Sequence, residues 1–248
     1  MFSLSIPKRL GHIWIGPRPA PLEWMQTWRD HHPDWEYTLY GNDFFDSQQF
    51  RTQRQMDEYV KRGQYEGVAD LMRYEMLLSQ GGFIAAADSV CLHNTSELFV
   101  DGDVFTIYEN EFLRGQLVSP ILASKPGNRF VEQLIEHLEA VPPEMLEAPW
   151  KSTGNRFVAE MIEKHAPEIM IFPSYKMIPV HFDGRVYKGN EKVYAKQLFG
   201  TTRKAYGGAE AGWFTRRKAR RARKAQTEYR KAAEKRLSQI QQDKFDGN

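Results

Sequence analysis

The sequence predicts an α/β protein built on a largely parallel sheet, and three observations lead to that prediction. Short apolar runs alternate with longer segments that have helical spacing. Glycine or proline separates many of these segments. The chain has 248 residues, of which 41% are hydrophobic, so it holds enough apolar side chains for one large domain. Strands that alternate with helices are typical of α/β folds.

Each expected element follows from a local pattern. Runs of β-branched, aromatic and aliphatic residues predict strands at residues 10–15, 35–40, 82–92, 104–108, 117–123 and 169–172. The residue patterns also predict helices, the first of them polar, at residues 43–62, 68–79, 129–140 and 155–165. Gly16-Pro17 closes the first strand, and Gly81-Gly82 stops the second of these helices.

The C-terminal part of the chain differs in charge from the rest. Residues 203–236 contain thirteen Lys or Arg and three Glu, for a net charge of +10, whereas the first 202 residues carry −7. Neither Gly nor Pro occurs between Trp213 and Gln242, and the apolar positions there are mostly alanine. This composition predicts a long exposed helix. We therefore expect a globular domain at residues 1–213 and a basic helical tail at residues 214–248.

The basic tail and the single cysteine bear on partners and compartment. A basic tail is typical of contact with phosphates, lipid head groups or nucleic acid, or of a solvated helix. Because Cys91 is the one cysteine, it has no intrachain disulfide partner, which favours a reducing, cytoplasmic compartment. No stretch approaches 18 consecutive apolar residues, and the N-terminus lacks the apolar block of a signal peptide. We expect a soluble, unprocessed protein that is either free in the cytoplasm or peripheral at a membrane through its tail.

Two local features at helix and strand ends are candidate binding residues. Trp14 closes the first predicted strand, where an aromatic ring either stacks on a ligand base or packs in the core. Asp70 and Arg73 are three residues apart and therefore share one face of a predicted helix. They form either a surface ion pair or a site at which Asp70 accepts sugar hydroxyls and Arg73 binds an anion.

Two further features complete the set of candidates. Asp88 lies near the end of an apolar strand, where it either caps a turn or binds a hard divalent cation together with phosphates. Residues 151–157 (KSTGNRF) form a turn that opens a helix, and its free N–H groups suit a polar or anionic ligand. Many helices begin in this way, so the second signal is weak.

The order of these features resembles one family. The motifs IPK-x₃-HIWIGP, PDWEY, ADLMRYEMLLSQGG and DSVCL follow one another between Ile6 and Leu98, with weaker matches at 119–130 and 152–157. In this arrangement the chain resembles the DXD-containing sugar transferases of glycosyltransferase family 32, whose more distant relatives are the glucosyltransferase domains of the large clostridial toxins. The resemblance implies a GT-A (Rossmann-like) fold, a UDP- or GDP-sugar donor, Mn²⁺ or Mg²⁺, and transfer with retention of configuration to a protein, glycan or lipid-linked acceptor.

The same resemblance implies a role for each matching residue. Trp14 would stack on the nucleobase, while the backbone at Ile13 reads the base edge. Asp70 would hold the donor-sugar hydroxyls. Arg73 would contact the sugar and diphosphate and oppose the charge that develops on the leaving nucleotide. Asp88 would be the second aspartate of the DXD motif and would bind the metal, which acts as a Lewis acid on the departing diphosphate.

The chain departs from the family pattern at the DXD motif itself. Ala86 stands where the first aspartate belongs, and Ile84 replaces a usual aromatic. Loss of that carboxylate at a catalytic position is expected to impair transfer. Two interpretations remain open: an engineered Asp-to-Ala substitution, which we favour because the surrounding residues match, or a divergent, inactive natural protein.

A second departure concerns the C-terminal end of the expected site. The family usually has a His-rich stretch that ends in Ser-Trp, but here AYGGAEAGW ends at Trp213. Trp213, with Tyr206 or Glu210, would then contribute from a glycine-rich lid, or the segment is a linker to the tail.

Three functional hypotheses follow. The first is a metal-dependent retaining glycosyltransferase, impaired in this form by Ala86. The second is a catalytically inactive protein that keeps the fold and binds a nucleotide or polyanion. The third, a nucleic-acid binder based on residues 216–224, has no base-reading module to support it, so we expect no specific nucleic-acid recognition.

Overall fold

The computed structural model describes residues 4–112, 116–120 and 122–200. The described residues fall into two compact units: those at 4–180 and 187–198 belong to the first, and residues 181–186, 199 and 200 belong to the second. In the second unit the described backbone forms a tight turn, in which the His181 N–H donates to Arg185 O at 2.8 Å. All helices and strands of the described residues belong to the first unit. The predicted basic tail lies outside the described residues.

A six-stranded sheet forms the centre of the first unit. Its strands, in spatial order, are β2 (Glu36–Tyr40), β1 (Arg9–Ile13), β3 (Gly82–Ile84), β6 (Ala123–Ser124), β5 (Val104–Ile107) and β7 (Met170–Phe172). Strands β2, β1 and β3 are parallel, β5 and β7 are parallel, and β6 runs antiparallel to both of its neighbours. Two further strands, β4 (Ser89–Cys91) and β8 (Ala195–Gln197), pair antiparallel as a separate ribbon. The prediction of a largely parallel sheet is confirmed.

Helices and loops cover the two faces of the sheet with separate apolar cores. The helices are α1 (Leu22–His31), α2 (Asn42–Ser47), α3 (Gln53–Lys61), α4 (Tyr65–Gln80), α5 (Arg129–Ala140), α6 (Pro149–Ser152) and α7 (Asn155–His165). The larger core joins α3, α4, α5 and α7 to side chains such as Ile84. The second core contains Trp28 of α1 together with Phe83, Phe99 and Phe105. Because Phe83 and Ile84 are consecutive in β3, they point to opposite faces and each belongs to a different core.

Two predicted elements are divided in the structure. The expected helix 43–62 separates into α2 and α3, because Phe50 is buried between them and both the N–H and the hydroxyl of Thr52 donate to Glu75 Oε1 at 2.9 Å. The expected strand 82–92 separates into β3 and β4, because the N–H and hydroxyl of Ser89 close a turn on Ala86 O at 3.2 and 2.7 Å. A hydrogen bond to a distant helix decides the first break, and a local turn decides the second.

The remaining predicted elements are close to those observed. Helices α5 and α7 have the predicted bounds, and α4 contains the predicted helix 68–79. The expected strand 117–123 is reduced to the bridge between Tyr108 and Val118 and to the short β6. In the described part of the chain, no helix is both long and apolar enough to cross a membrane.

A double-glycine reversal between α4 and β3 determines where the two elements lie. Gly81 and Gly82 have φ angles of +65° and +99°, which L-residues with a Cβ rarely adopt. A Cβ on Gly82 would also lie 2.6 Å from Arg9 O, so β1 and β3 approach each other closely there. Since the chain reverses at this point, the N-terminal half of α4 lies toward the carboxyl ends of β1 and β3.

Gly82→Ala is expected to destabilise the fold by about 2 kcal/mol or more, because it adds a backbone clash to the cost of a positive φ. Gly63→Ala is the matched control, since Gly63 has a φ of +65° with nothing within 4 Å of its Cβ position. The control should lose about 1 kcal/mol for the positive φ alone. Urea unfolding measures both, and equal losses would show that the contact with Arg9 carries no energetic weight.

Candidate functional site

The loop after β1 is fixed by contacts to the elements beside it. The Trp14 N–H donates to Tyr40 O at 3.0 Å, and its indole Nε1 donates to Arg18 O at 2.7 Å. Gly16 and Asn42 exchange two hydrogen bonds of 2.9 and 3.0 Å. These bonds hold the loop at the carboxyl end of β1. Trp14 is half-buried there, while Ile13 belongs to the larger core.

The carboxyl ends of β1 and β3 bring several candidates to one edge of the sheet. Gly11 pairs with Ile84, and the Ala85 N–H donates to Gly11 O at 2.9 Å. Residues after these pairs, including Trp14 and Ala86, therefore leave the sheet at the same edge. Arg73 reaches this edge from α4, where its Nη1 donates to Ile84 O at 2.5 Å.

Asp70 lies one helical turn before Arg73 and is held by a segment distant in sequence. The hydroxyl of Thr153, between α6 and α7, donates to Asp70 Oδ2 at 3.1 Å. The Cβ position of Gly154 lies 3.0 Å from the same oxygen, so a larger residue there would press on the carboxylate. The predicted helix-opening turn 151–157 thus contacts Asp70 directly.

Burial and charge together set the protonation of this pair. Burial raises the pKa of Asp70 to about 7, while the Arg73 guanidinium and the Thr153 hydroxyl act in the opposite direction. Burial lowers the pKa of Arg73, and Asp70 opposes that shift. Asp70 and Arg73 are therefore not a solvated surface ion pair, because their environment penalises both charges.

His12, a member of the HIWIG motif, lies close enough to Arg73 for the guanidinium charge to affect the pKa of its imidazole. Burial and the Arg73 charge lower the pKa of His12 to about 3, so the imidazole is neutral at ordinary pH. Its Nδ1 lies 3.2 Å from the Tyr37 hydroxyl. The sequence analysis did not select His12, although its place two residues before Trp14 was visible.

The segment from Ala86 to Ser89 is a turn and not the end of a strand. β3 ends at Ile84, so the expectation that an apolar strand carries Asp88 at its tip is wrong. Ser89 closes the turn on Ala86 O, and Trp28 Nε1 donates to Ser89 Oγ at 3.1 Å. A cavity of about 40 Å³ beside Ala86 has room for water but not for a sugar ring.

Asp88 is positioned by the ribbon that follows the turn. Leu198 N–H donates to Asp88 O at 2.8 Å, and Gln197 Nε2 donates to Asp88 Oδ1. Sequence reasoning missed Gln197, because no local motif marks it and only the pairing of β4 with β8 brings it near Asp88.

The protein side chains here suit a cation whose ligands come mainly from a bound phosphate group and from water. Within the described ranges, no group of three His, Cys, Asp or Glu side chains could hold a metal ion. Mg²⁺ and similar cations at phosphate sites need one or two protein carboxylates, with phosphates and water supplying the rest. Asp88 meets the lower limit of that requirement, and Ala86 contributes no ligand. Trp213, Tyr206 and Glu210 lie outside the described residues.

Comparisons with known proteins find likeness to glycosyltransferases. Residues 22–105 match the family described as "Glycosyltransferase sugar-binding region containing DXD motif". Among solved structures, the chain is similar to one titled "PaToxG Glycosyltransferase", with a TM-score of 0.56 and 14% identity over 65% of this chain and 70% of that one. No curated protein matches the chain in sequence.

The two matches support different conclusions. At 14% identity the structural likeness establishes the fold, and it confirms the predicted α/β fold of GT-A type. The family match covers β2, α4, β3 and the turn that contains Ala86 and Asp88. The predicted resemblance is confirmed: residues 22–105 match the DXD-containing sugar-binding region of glycosyltransferases, and the fold is similar to that of a solved glycosyltransferase.

Proposed function

We propose that this protein is a metal-dependent, retaining glycosyltransferase that moves a sugar from a UDP- or GDP-sugar to a protein, glycan or lipid-linked acceptor. The observation that carries the proposal is the hydrogen bond from Arg73 to Ile84 O. It joins α4, which bears Asp70, to β3, which leads into the turn that contains Ala86 and Asp88. A carboxylate and a guanidinium are thereby held at the carboxyl edge of the sheet, where α/β folds bind ligands.

In the proposed mechanism each residue has a separate task. Trp14 stacks on the nucleobase, and the backbone at Ile13 reads the base edge. Asp70 accepts hydrogen bonds from donor-sugar hydroxyls. Arg73 stabilises the negative charge that grows on the diphosphate as the glycosidic bond breaks, which is the kind of electrostatic stabilisation with the largest effect on rate.

Asp88 is the residue that would bind Mn²⁺ or Mg²⁺, and the diphosphate and water would supply the other ligands. When bound, the metal supplies Lewis-acid stabilisation of the leaving group. Gln197 fixes the Asp88 carboxylate through Oδ1, so the side chain is oriented before a ligand arrives. Trp213, which lies outside the described residues, is a further proposed donor-binding residue.

The second candidate function is a non-catalytic protein that keeps the fold and binds a nucleotide or polyanion. Ala86 favours it, because the turn offers one carboxylate where the family pattern has two. The two functions differ in a simple property: an impaired enzyme regains turnover when the carboxylate is restored, whereas a divergent binder does not.

We expect Ala86→Asp to raise donor hydrolysis or transfer by about 10²–10³-fold, because a lost transition-state interaction of about 2.7–4 kcal/mol has that effect on rate. Release of UDP or GDP with Mn²⁺ is the assay, using UDP-glucose, UDP-N-acetylglucosamine and GDP-mannose as donors. Ala87→Asp is the control, since it adds the same carboxylate to the next residue of the turn. Equal rates for all three proteins with every donor would favour the non-catalytic binder.

We expect UDP or GDP with Mn²⁺ to raise the melting temperature, and Asp88→Asn to remove the part of that rise that depends on Mn²⁺. A ligand at 100 times its Kd stabilises the folded state by about 2.7 kcal/mol, so the effect is measurable by thermal shift with and without EDTA. Asp46→Asn, at an exposed carboxylate on α2, is the control. A full Mn²⁺-dependent rise in Asp88→Asn would contradict the proposed metal ligand.

The basic tail, residues 214–248, is proposed to hold the enzyme near an anionic acceptor or membrane surface in the cytoplasm. Truncation after Trp213 in an Ala86→Asp background should change donor hydrolysis by only a few fold. The same truncation should weaken binding to anionic vesicles, as should added salt, because exposed charges are screened over about 8–10 Å. If truncation abolishes hydrolysis while the domain stays folded, the tail belongs to the catalytic domain.

A further inference from the structure

The Thr153 hydroxyl lies between two acceptors but has one proton. Its Oγ1 is 3.1 Å from Asp70 Oδ2 and 3.1 Å from Pro149 O. A hydroxyl donates one hydrogen bond and accepts up to two, so Thr153 donates to only one of these two acceptors at a time. The protonation of Asp70 decides which one.

The position of Thr153 leaves its hydroxyl little freedom to move away. The side chain is fully buried. Its backbone N–H donates to Pro149 O at 2.9 Å, and its carbonyl oxygen accepts a hydrogen bond from the Tyr74 hydroxyl. Gly154 packs against Asp70 from the same segment. The hydroxyl therefore stays between Asp70 and Pro149.

Two arrangements of protons satisfy this geometry. When Asp70 is ionised, Thr153 donates to Oδ2, and Oδ1 can accept from a ligand hydroxyl. When Asp70 takes up a proton from solvent on Oδ2, that proton is donated to Thr153 Oγ1, and Thr153 donates to Pro149 O. The first arrangement contains a charge-assisted hydrogen bond, which is about twice as strong as a neutral one.

We propose that Thr153 is a positioning residue that stabilises the ionised form of Asp70 and thereby sets the pH above which Asp70 accepts a strong hydrogen bond from a donor-sugar hydroxyl. The proposal rests on the proposed function, in which Asp70 binds the donor sugar. It assigns Thr153 a role that acts through Asp70 and not through contact with the reacting atoms.

The other groups that act on Asp70 come from α4 and α3. On α4, the Arg73 charge favours ionisation and the Glu66 charge opposes it. Tyr74 and Tyr59 also interact with Asp70, but burial raises the pKa of Tyr59 to about 12 and raises the pKa of Tyr74 well above its ordinary value, so both are neutral. Because both tyrosines are neutral, Arg73 and Glu66 are the charged groups on these two helices that act on Asp70.

The sign of the stability effect follows from a carboxyl pKa that is higher in the folded than in the unfolded protein. Asp70 then favours folding most below about pH 4, and this contribution is lost as the pH rises to about 7. His12 acts in the opposite direction, because its folded pKa is low. The melting temperature of the intact protein relative to Asp70→Asn should therefore fall between about pH 4 and pH 7.

The deciding experiment follows the ¹³Cγ resonance of Asp70 against pH in the full chain, assigned by its absence in Asp70→Asn. In Thr153→Val the midpoint should lie about one pH unit higher, because a hydrogen bond to the charged form is lost. Thr153→Ser should restore the original midpoint. Thr106→Val, which removes another buried hydroxyl that donates to Ser119 O at 2.7 Å, should lower the melting temperature and leave the Asp70 midpoint unchanged.

Donor binding separates failure of this inference from failure of the proposed function. Below the new midpoint, the affinity of Thr153→Val for UDP-glucose or GDP-mannose with Mn²⁺ should fall by up to about tenfold, and above it the affinity should recover. An unchanged Asp70 midpoint in Thr153→Val would overturn the inference, whatever the donor does. If the midpoint rises but donor affinity does not change with pH, Thr153 still acts on Asp70. The link between Thr153 and donor binding would then be overturned, and so would the assignment of Asp70 to the donor sugar.

Discussion

The hydrogen bond from the Arg73 guanidinium to Ile84 O is the interaction on which the geometry of the site depends. It joins the central helix α4 to the carboxyl end of β3, at the residue where the sheet ends and the Ala86 turn begins. The Gly81-Gly82 reversal makes the bond possible, because it returns the chain along α4 and lets β3 approach Arg9. The positive φ angles of two glycines and one charged hydrogen bond thus fix where α4 meets the carboxyl end of β3.

Charge in this region is balanced over the buried His12 and the half-buried Asp70 and Arg73. Asp70 and Arg73 both lose hydration, and each reduces the penalty on the other. His12 stays neutral because a second cation beside Arg73 would be costly in a buried place. The result is a site with a fixed positive charge and a carboxyl group that titrates close to neutrality. Groups with such shifted pKa values are often found at functional sites.

The turn that contains Ala86 and Asp88 keeps its backbone shape without a carboxylate at position 86. Its shape is set by Ser89, which closes on Ala86 O and in turn accepts from Trp28. Asp88 is held from the other side by Gln197. Because none of these bonds uses the side chain of residue 86, the turn keeps its shape with alanine at that position.

The fold class, most helices and the main candidate residues could be predicted from local patterns in the chain. Helices α5 and α7 could be predicted to the residue, because their apolar spacing and their stops are local signals. The spacing of Asp70 and Arg73 placed both on one face of a helix for the same reason. The motif around Ala86 and Asp88 was also readable, since it is contiguous.

The residues that surround those candidates depend on contacts between distant parts of the fold. The contact of Thr153 with Asp70 spans 83 positions and that of Gln197 with Asp88 spans 109, distances over which no periodic pattern carries information. The division of residues 43–62 into two helices likewise depends on Glu75 from another element. The pKa of Asp70 is raised because packing buries it, and burial is a property of the assembled fold and not of the local sequence.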